Sequence, residues 1–214
     1  MGRLENVKGG SMCGRYYVDD DTAREIEKLV RQVDEKLRRD TVSCRVEIAA
    51  KDICPADAAP VLVASSHGLE CRWLRWGFPG FQNGKVIFNA RCESALEKPL
   101  FKEGILHRRV VIPAAGFYEW NRDKQKYNFY REGHPALLMA GCYRKYEDGD
   151  RFVVLTTQAN ASMEPVHDRM PLILDPGEAV DWLLEDEISG AILRKTPPFL
   201  ERRTDYEQLS LFGC

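Results

Sequence analysis

The segment at residues 110–120 reads VVIPAAGFYEW and predicts two short strands, Val110–Ile112 and Gly116–Trp120, around Pro113. Other apolar or alternating segments lie before and after it, separated by turn residues such as Gly133. These strand candidates are Arg15–Val18, Pro60–Ala64, Cys71–Trp76, Lys85–Asn89, Tyr127–Tyr130, Ala136–Tyr143, Phe152–Thr157 and Leu172–Leu174. Many short strands of this kind predict a mostly antiparallel, barrel-like sheet.

Helical periodicity occurs at fewer places, and the first is the longest. Apolar residues recur at helical spacing from Ala23 to Leu37, behind the capping candidates Asp20–Thr22, and this helix is predicted to end near Arg39. Three shorter helices are predicted at Phe101–His107, Glu178–Glu185 and Ile188–Arg194. The predicted fold class is therefore α+β, a single domain whose barrel-like sheet is flanked by helices.

The chain divides into three parts by composition. Residues 1–11, MGRLENVKGGS, have no apolar period and end in two glycines and a serine, which is typical of a tag or a misplaced start. We therefore take Met12 as the initiator and residues 12–207 as the folded domain. Residues 208–214 follow as a tail.

Composition favours a soluble protein of the cytoplasm. Of 214 residues, 44% are hydrophobic and 30% charged, and no apolar run approaches the roughly 20 residues of a membrane helix. Seven cysteines at scattered positions indicate reduced thiols. Since they form no C-x-x-C pair, neither a metal nor another cofactor is expected. The protein is expected to be a monomer, which is the default assumption for its oligomeric state.

The distribution of charge indicates a local basic surface. The net charge is −2, which argues against a globally basic nucleic-acid binder. Residues 71–110 nevertheless hold eight basic and three acidic side chains, while residues 175–214 hold nine acidic and four basic ones. This asymmetry suits a phosphate-binding groove, and an ordinary solvated surface is the alternative.

The stretch Met12-Cys13-Gly14-Arg15 carries unusual chemistry if the chain starts at Met12. Trimming of methionine before a small residue would leave Cys13 with an α-amine, whose reference pKa near 8 lies below the roughly 10.4 of lysine. Such an amine attacks an aldehyde to form a Schiff base, and the adjacent thiol can then close a thiazolidine ring. Alternatively, Cys13 is a small buried hydrophobic residue.

Polar residues at alternate positions follow the apolar run 86–88. If that strand continues, Asn89, Arg91 and Glu93 project from one face, where an asparagine and an arginine can bind a phosphate and a sugar. The alternative is a strand end that faces solvent.

Two further motifs supply proton-transfer candidates. Glu119 lies among three aromatic residues, whose desolvation would raise its pKa, although pairing with an arginine at the sheet edge would also explain it. His167 begins the segment HDRMP at the entry to a strand. A single histidine there is either structural or a partner of Cys13 and Glu119.

Aromatic residues near the basic segment are candidates for stacking on bases. Trp73, Trp76 and Phe78 lie beside Arg72 and Arg75, and such a set can contact unpaired bases. An aromatic core is the alternative.

Five motifs together resemble one protein family. They are Met12-Cys13-Gly14-Arg15, Trp76-Gly77, Asn89-Ala90-Arg91-Cys92-Glu93, Gly116-Phe117-Tyr118-Glu119-Trp120 and His167-Asp168-Arg169-Met170-Pro171. In this order, across nearly the whole chain from Met12, they resemble the SOS-response-associated peptidase (SRAP) family, also called abasic-site processing proteins.

The resemblance implies a DNA-damage protein that senses abasic sites in single-stranded DNA and crosslinks to them. By family pattern, Cys13 would be the nucleophile that forms the thiazolidine, and Asn89 would orient the opened sugar or the terminal amine. Glu119 would move protons during Schiff-base formation. His167 would assist opening of the sugar ring or chemistry on the DNA strand, and would permit slow reversal of the crosslink.

The family pattern also implies DNA contacts and further activities. Arg15 and Arg91 would hold flanking phosphates, and Trp76 would belong to the wall that faces DNA. Membership of the family would also imply lyase-type Schiff-base chemistry and thiol autopeptidase activity. A role in DNA repair would place the protein at the nucleoid. If residues 1–11 remained on the chain, Cys13 would have no free α-amine.

The tail segment 208–212, QLSLF, resembles the short peptide with which bacterial repair proteins bind the sliding clamp. Its candidate contacts are Gln208, Leu209, Leu211 and Phe212. Packing of the segment on its own domain is the alternative.

Two rival functions remain open at this point. A thiol autopeptidase or N-terminal-nucleophile amidohydrolase would use Cys13 for amide cleavage, and would give no stable adduct with DNA. A nucleic-acid-binding module with a structural Cys13 would bind DNA without any covalent product.

Overall fold

The computed structural model describes residues 14–36, 48–66, 68–81 and 84–204. Its helices are α1 (Asp20–Lys36), α2 (Cys92–Ala95), α3 (Pro99–His107), α4 (Pro176–Leu184) and α5 (Ser189–Ile192). Its strands are β1 (Tyr16–Val18), β2 (Lys51–Ile53), β3 (Ala58–Ser65), β4 (Gly68–Trp76), β5 (Phe78–Pro79), β6 (Val86–Ile87), β7 (Asn89–Arg91), β8 (Arg109–Ala114), β9 (Gly116–Trp120), β10 (Lys126–Tyr130), β11 (Leu137–Arg144), β12 (Arg151–Gln158), β13 (Arg169–Pro171), β14 (Ile173–Leu174) and β15 (Glu201–Thr204).

The larger sheet closes into a ring. Antiparallel pairing runs from β4 through β3, β8 and β11 to β12, and β12 pairs in parallel with β4 to complete the circle. Three short strands extend it, because β7 and β13 pair with β12 and β14 pairs with β11. The prediction of an α+β fold with a mostly antiparallel, barrel-like sheet is confirmed.

A second, fully antiparallel sheet has the strand order β15-β10-β9-β1-β2. Alternation along these strands turns Tyr16, Val18, Phe117 and Phe129 inward, where all four are buried. The segment at residues 110–120 joins the two sheets, since it supplies most of β8 in the ring and all of β9 in the second sheet.

A buried indole lies where the two sheets meet. The ring of Trp76, at the end of β4, is 5.0 Å from that of Tyr16 in β1 and 6.4 Å from that of Phe152 in β12. Its Nε1–H donates a hydrogen bond of 2.9 Å to the carbonyl of Phe88. Trp76 therefore contacts β1, β12 and the residue that precedes β7.

Helix α1 covers the ring with the apolar face that its periodicity predicts. Ile26, Leu29 and Val33 are buried, and the helix packs on β4 and β8. Asp19 caps its first turn, because the Thr22 N–H donates to Asp19 Oδ1 at 3.0 Å and the Asp19 N–H donates to Thr22 Oγ1 at 3.2 Å. The predicted end near Arg39 lies outside the described residues.

Several short elements depart from the prediction. The strand predicted at Lys85–Asn89 is interrupted at Phe88, whose carbonyl binds the Trp76 indole, and Leu172 likewise separates two short strands. Strands β2, β5, β13 and β15 and helix α2 were not predicted, because two to four residues are too few to establish a period.

None of the helices in the described part of the chain is long and apolar enough to cross a membrane. Within the same part, Cys54, Cys71, Cys92 and Cys142 form no disulfide bond.

Substitution of Gly116 tests how closely β1, β9 and β10 approach each other. A Cβ on Gly116 would lie 2.6 Å from both the Phe129 carbonyl oxygen and the Tyr17 hydroxyl. We expect Gly116→Ala to lower the free energy of unfolding by about 1–3 kcal/mol in denaturant titrations, because the backbone must shift. Gly177→Ala, where a Cβ meets no atom within 4 Å, is the control and should be neutral or slightly stabilising. Equal effects of the two substitutions would contradict the packing.

Candidate functional site

The start of β1 lies between two of the motifs. The Tyr118 N–H donates to the Arg15 carbonyl at 2.9 Å, and one further step of this antiparallel register sets Gly14 beside Glu119. A Cβ on Gly14 would lie 3.9 Å from Cζ of Phe88, the residue before Asn89. Cys13 itself lies outside the described residues, but the residue that follows it lies beside β9 and near the ring of Phe88.

Strand β7 presents Asn89 and Arg91 on one face. It runs parallel to β12, with Asn89 opposite Val154 and Arg91 opposite Thr156, and the intervening Ala90 is buried on the other face. The strand ends at Arg91, and Cys92 begins α2. The expectation that Glu93 shares their face is therefore wrong, since the chain has already turned into a helix.

Glu93 instead connects two motifs that are far apart in sequence. Arg169 donates two hydrogen bonds to its carboxylate, Nη1 to Oε1 at 2.6 Å and Nη2 to Oε2 at 2.9 Å. Arg169 Nη2 also donates to the Thr156 carbonyl at 2.7 Å. These hydrogen bonds lower the pKa of Glu93 below its usual range. The pair fixes the end of β7 against β13 and the turn that carries His167.

The burial of His167 favours its neutral form. Burial lowers the pKa of its imidazole, and the Arg169 backbone N–H donates to Nδ1 at 3.0 Å. Asp168 Oδ1 also lies 3.0 Å from Nδ1, which would favour the charged ring, but this carboxylate is 89% exposed and burial has the larger effect. Nδ1 is thus the acceptor and Nε2 carries the proton, which leaves Nε2–H as a donor for a ligand.

Glu119 is buried although its neighbours in β9 face outward. Its exposed fraction is 5%, whereas Trp120 is 38% exposed. Alternation turns Glu119 toward the interior with Phe117, beside the start of β1. Burial is the condition on which its predicted role in proton transfer depends.

Arg15 has the exposure that a phosphate ligand needs. Its side chain is 43% exposed, with Nη1 3.8 Å from Asp52 Oδ2 and the guanidinium carbon 6.0 Å from the centre of the Trp120 ring. Arg91 is also exposed. Both predicted phosphate contacts therefore reach solvent.

The prediction that Trp76 faces DNA is wrong. Its exposed fraction is 0%, as is that of Phe78, because both rings pack in the hydrophobic core. Other aromatic residues are exposed in their place: Trp73 by 48%, Trp120 by 38%, and Phe81, in the turn between β5 and β6, by 95%. Sequence alone could not separate Trp73 from Trp76, since both lie on one strand among basic residues.

Neither a metal centre nor a second activated thiol is evident nearby. In the described ranges, no group of three or more histidine, cysteine or acidic residues could hold a metal ion. Burial raises the pKa of Cys92, which follows β7, to about 12, and that of Cys142 likewise to about 12. Both thiols are therefore protonated at neutral pH and poor nucleophiles.

A cleft of about 600 Å³ opens beside α2, lined by Glu93, Glu97, Arg194 and Thr196 among others. None of the described residues predicted to be catalytic, Asn89, Glu119 and His167, lines it. The cleft therefore meets the Asn89 motif only at Cys92 and Glu93, and the predicted catalytic residues lie outside its lining.

Comparison with known proteins identifies the family of this chain. The family model described as SOS response associated peptidase (SRAP) matches residues 12–208. The chain belongs to the SRAP family. The match starts at Met12, the residue taken as initiator from composition.

Relatives of this SRAP chain include bacterial and vertebrate proteins. The abasic site processing protein YedK of Escherichia coli (strain K12) is 30% identical over 187 residues, which cover 84% of this chain and 82% of that protein. The abasic site processing protein YoqW of Bacillus subtilis (strain 168) is 28% identical over 186 residues, or 80% of each chain. The abasic site processing protein HMCES of Xenopus tropicalis is 34% identical over 58% of this chain and 45% of that protein.

Solved structures share the SRAP chain's fold. A phage-related protein from Bordetella bronchiseptica superposes with a TM-score of 0.71 at 23% identity, over 90% of this chain and 93% of that one. A protein from Bacteroides thetaiotaomicron superposes with a TM-score of 0.68 at 22% identity, over 90% of this chain and 91% of that one.

The Glu93–Arg169 pair makes stability depend on pH. The folded pKa of Glu93 is lowered from 4.5, so the pair's contribution is complete above that pH and is lost as pH falls through the folded pKa. We expect Glu93→Gln to lower the free energy of unfolding by about 0.5–1 kcal/mol at pH 7, because the carboxylate is 48% exposed. This difference should disappear in acid.

The exposed Glu97→Gln is the matched control and should change stability by less than about 0.5 kcal/mol at either pH. Denaturant titrations at several pH values measure both variants. A difference for Glu93→Gln that persists at low pH would contradict the ion pair as its source.

Proposed function

We propose that this SRAP protein senses abasic sites in single-stranded DNA and forms a covalent crosslink to them through Cys13. One observation carries the proposal: Gly14, the residue after Cys13, lies in register beside the buried Glu119 and near the ring of Phe88, the residue before Asn89. The relatives named abasic site processing proteins support the same function.

The proposed reaction needs no cofactor and no change of oxidation state. The ring-opened abasic sugar carries an aldehyde, which condenses with the Cys13 α-amine to form an imine and release water. The Cys13 thiol then adds across the C=N bond, so that sulfur bonds to the imine carbon and a proton passes to nitrogen. The product is a thiazolidine, and its formation requires that nothing precede Cys13.

The described residues suit distinct roles in that sequence. Glu119, buried beside the start of β1, would move protons as water leaves. His167 would offer Nε2–H to the sugar oxygen during ring opening, because Nδ1 already accepts the Arg169 N–H. Asn89 would orient the opened sugar or the amine.

Contacts to the DNA would come from exposed groups around this point. Arg15 and Arg91 would hold phosphates, and the exposed rings of Trp120 and Phe81 would stack on unpaired bases. A single strand suits such a surface because its bases are free to stack. The protein would then work where the cell's DNA lies.

Removal of residues 1–11 is part of the proposal, since the family match begins at Met12. Methionine trimming from a Met12 start would free Cys13, and self-cleavage by a thiol autopeptidase would reach the same end. The imine also opens a lyase route, in which elimination breaks the DNA strand. An N-terminal-nucleophile amidohydrolase is the alternative activity, and it predicts amide turnover without any adduct.

Substitution of Cys13 separates these mechanisms. Protein with a free Cys13 terminus should add one mass equivalent of a single-stranded oligonucleotide with one abasic site, as measured by intact mass without borohydride. Cys13→Ser retains the amine and should give an adduct that survives only after borohydride reduction, because a hydroxyl closes the ring less readily than a thiol. Failure of the parent to form an adduct would remove the crosslinking mechanism.

We also propose that the tail binds the bacterial sliding clamp. Gln208, Leu209, Leu211 and Phe212 lie outside the described residues, so the proposal depends on the motif alone. Phe212→Ala should abolish capture of purified clamp by the full chain. Equal capture by the parent and this variant would remove the clamp as a partner.

A further inference from the structure

The second sheet has an outer face whose composition the proposed crosslinking reaction does not explain. Strand alternation directs one set of side chains away from the buried Tyr16, Phe117 and Phe129. We call this set the outer strip: Tyr17, Tyr118, Lys126, Asn128, Tyr130 and Arg203.

The register aligns the strip across four strands. Arg15 lies beside Tyr118, Tyr118 opposite Asn128, and Asn128 opposite Arg203. Three steps between neighbouring strands span about 14 Å. An extended chain of a few nucleotides can lie along such a row.

Rings and cations alternate within the strip. Lys126 Nζ lies 3.8 Å from the centre of the Tyr118 ring, and the guanidinium carbon of Arg203 lies 4.5 Å from that of Tyr130. Arg203 Nε also donates to the Tyr130 hydroxyl at 2.7 Å. Aromatic faces for bases beside cations for phosphates are what single-stranded nucleic acid binds without sequence preference.

The aromatic residues are fixed before any ligand arrives. Tyr17 stacks on Tyr118 with 5.2 Å between ring centres, and its hydroxyl accepts a hydrogen bond from Asn128 Nδ2 at 3.2 Å. Gly116 leaves room for this arrangement, since a Cβ there would lie 2.6 Å from the Tyr17 hydroxyl. A rigid platform loses less side-chain entropy on binding than a mobile one.

The charges of the strip favour a polyanion. The face carries the cations Arg15, Lys126 and Arg203 and the carboxylates Asp52 and Glu201. Both carboxylates already have partners: Asp52 hydrogen-bonds with Tyr118 and lies 3.8 Å from Arg15, and Glu201 accepts the Glu132 N–H at 2.8 Å.

The strip is continuous with two of the proposed DNA contacts. Trp120 lies opposite Lys126 and Arg15 lies beside Tyr118, whereas Glu119 projects from the other face of β9. We infer that the outer strip binds the single-stranded DNA flanking the abasic site on one side, through stacking on Tyr130 and phosphate contacts to Lys126 and Arg203. This inference rests on the proposed function and extends its DNA contacts beyond the lesion.

The test compares oligonucleotides that differ in the length of single strand on each side of the abasic position. Three single strands carry a tetrahydrofuran abasic analogue, which cannot crosslink: a short one, one extended on the 5′ side, and one extended on the 3′ side. Fluorescence anisotropy measures their affinity for the parent chain and for Lys126→Gln/Arg203→Gln. The control is Arg144→Gln/Lys145→Gln, which removes the same charges from exposed positions and also separates an arginine from a tyrosine ring, that of Tyr146.

We expect the strip variant to lose about fivefold or more in affinity for one extended strand and less than twofold for the short one. On that extended strand, the slope of log affinity against log salt should fall by about 1.4, because the variant cannot neutralise the two phosphates that Lys126 and Arg203 bind. The control variant should match the parent throughout. Thermal unfolding should show that both variants fold.

Three results would overturn the inference: no loss on either extended strand, an equal loss on the short strand, or equal losses on both extended strands. The proposed function is tested separately with the short strand carrying a true abasic site. If the parent fails to crosslink it, the proposed function fails, whatever the flank dependence shows.

Discussion

The buried indole of Trp76 determines where the proposed site lies. One face of the site begins at Gly14, two residues before the Tyr16 ring that packs on this indole. The other begins at Asn89, directly after the Phe88 carbonyl that its Nε1–H binds. Because a buried indole N–H without an acceptor would cost about 1–3 kcal/mol, this hydrogen bond holds the start of β7 firmly. Trp76 thus acts by positioning the chain, away from any ligand.

The remaining part of the site depends on charge rather than packing. The Glu93–Arg169 pair joins the end of β7 to the turn before β13, and the Arg169 backbone N–H fixes the tautomer of His167. An arginine that binds one motif with its side chain and a second with its backbone couples their positions. In the proposed mechanism, His167 and the buried Glu119 would move protons.

Much of the fold could be predicted from sequence, because long strands and amphipathic helices carry a clear period. The helix at α1, the strands at β3, β4 and β11, and the barrel-like closure follow from such patterns. The interruption at Phe88 could not be predicted, since it depends on an indole twelve residues away. Glu93 was expected on the same strand as Asn89 but lies on a helix, because the strand ends at Arg91 and α2 begins at Cys92.

For the candidate site, residue types were predictable and environments were not. The burial expected of Glu119 is observed, because its aromatic neighbours indicated a core edge. The exposure expected of Trp76 was wrong, because alternation on β4 cannot say which face meets the second sheet. Arg169 belongs to one of the family motifs, but its ion pair could not be predicted, since its partner Glu93 lies 76 residues away.

The central claim is that the free α-amine of Cys13, delivered beside Asn89 and Glu119, attacks the abasic aldehyde. The most direct measurement is the intact mass of two forms of the chain, one beginning at Cys13 and one retaining residues 1–12, each mixed with the same abasic single strand. Our account predicts a stable adduct for the first form and none for the second, because an amide nitrogen cannot form an imine. An equal adduct yield from both forms would contradict it and assign the reaction to another nucleophile.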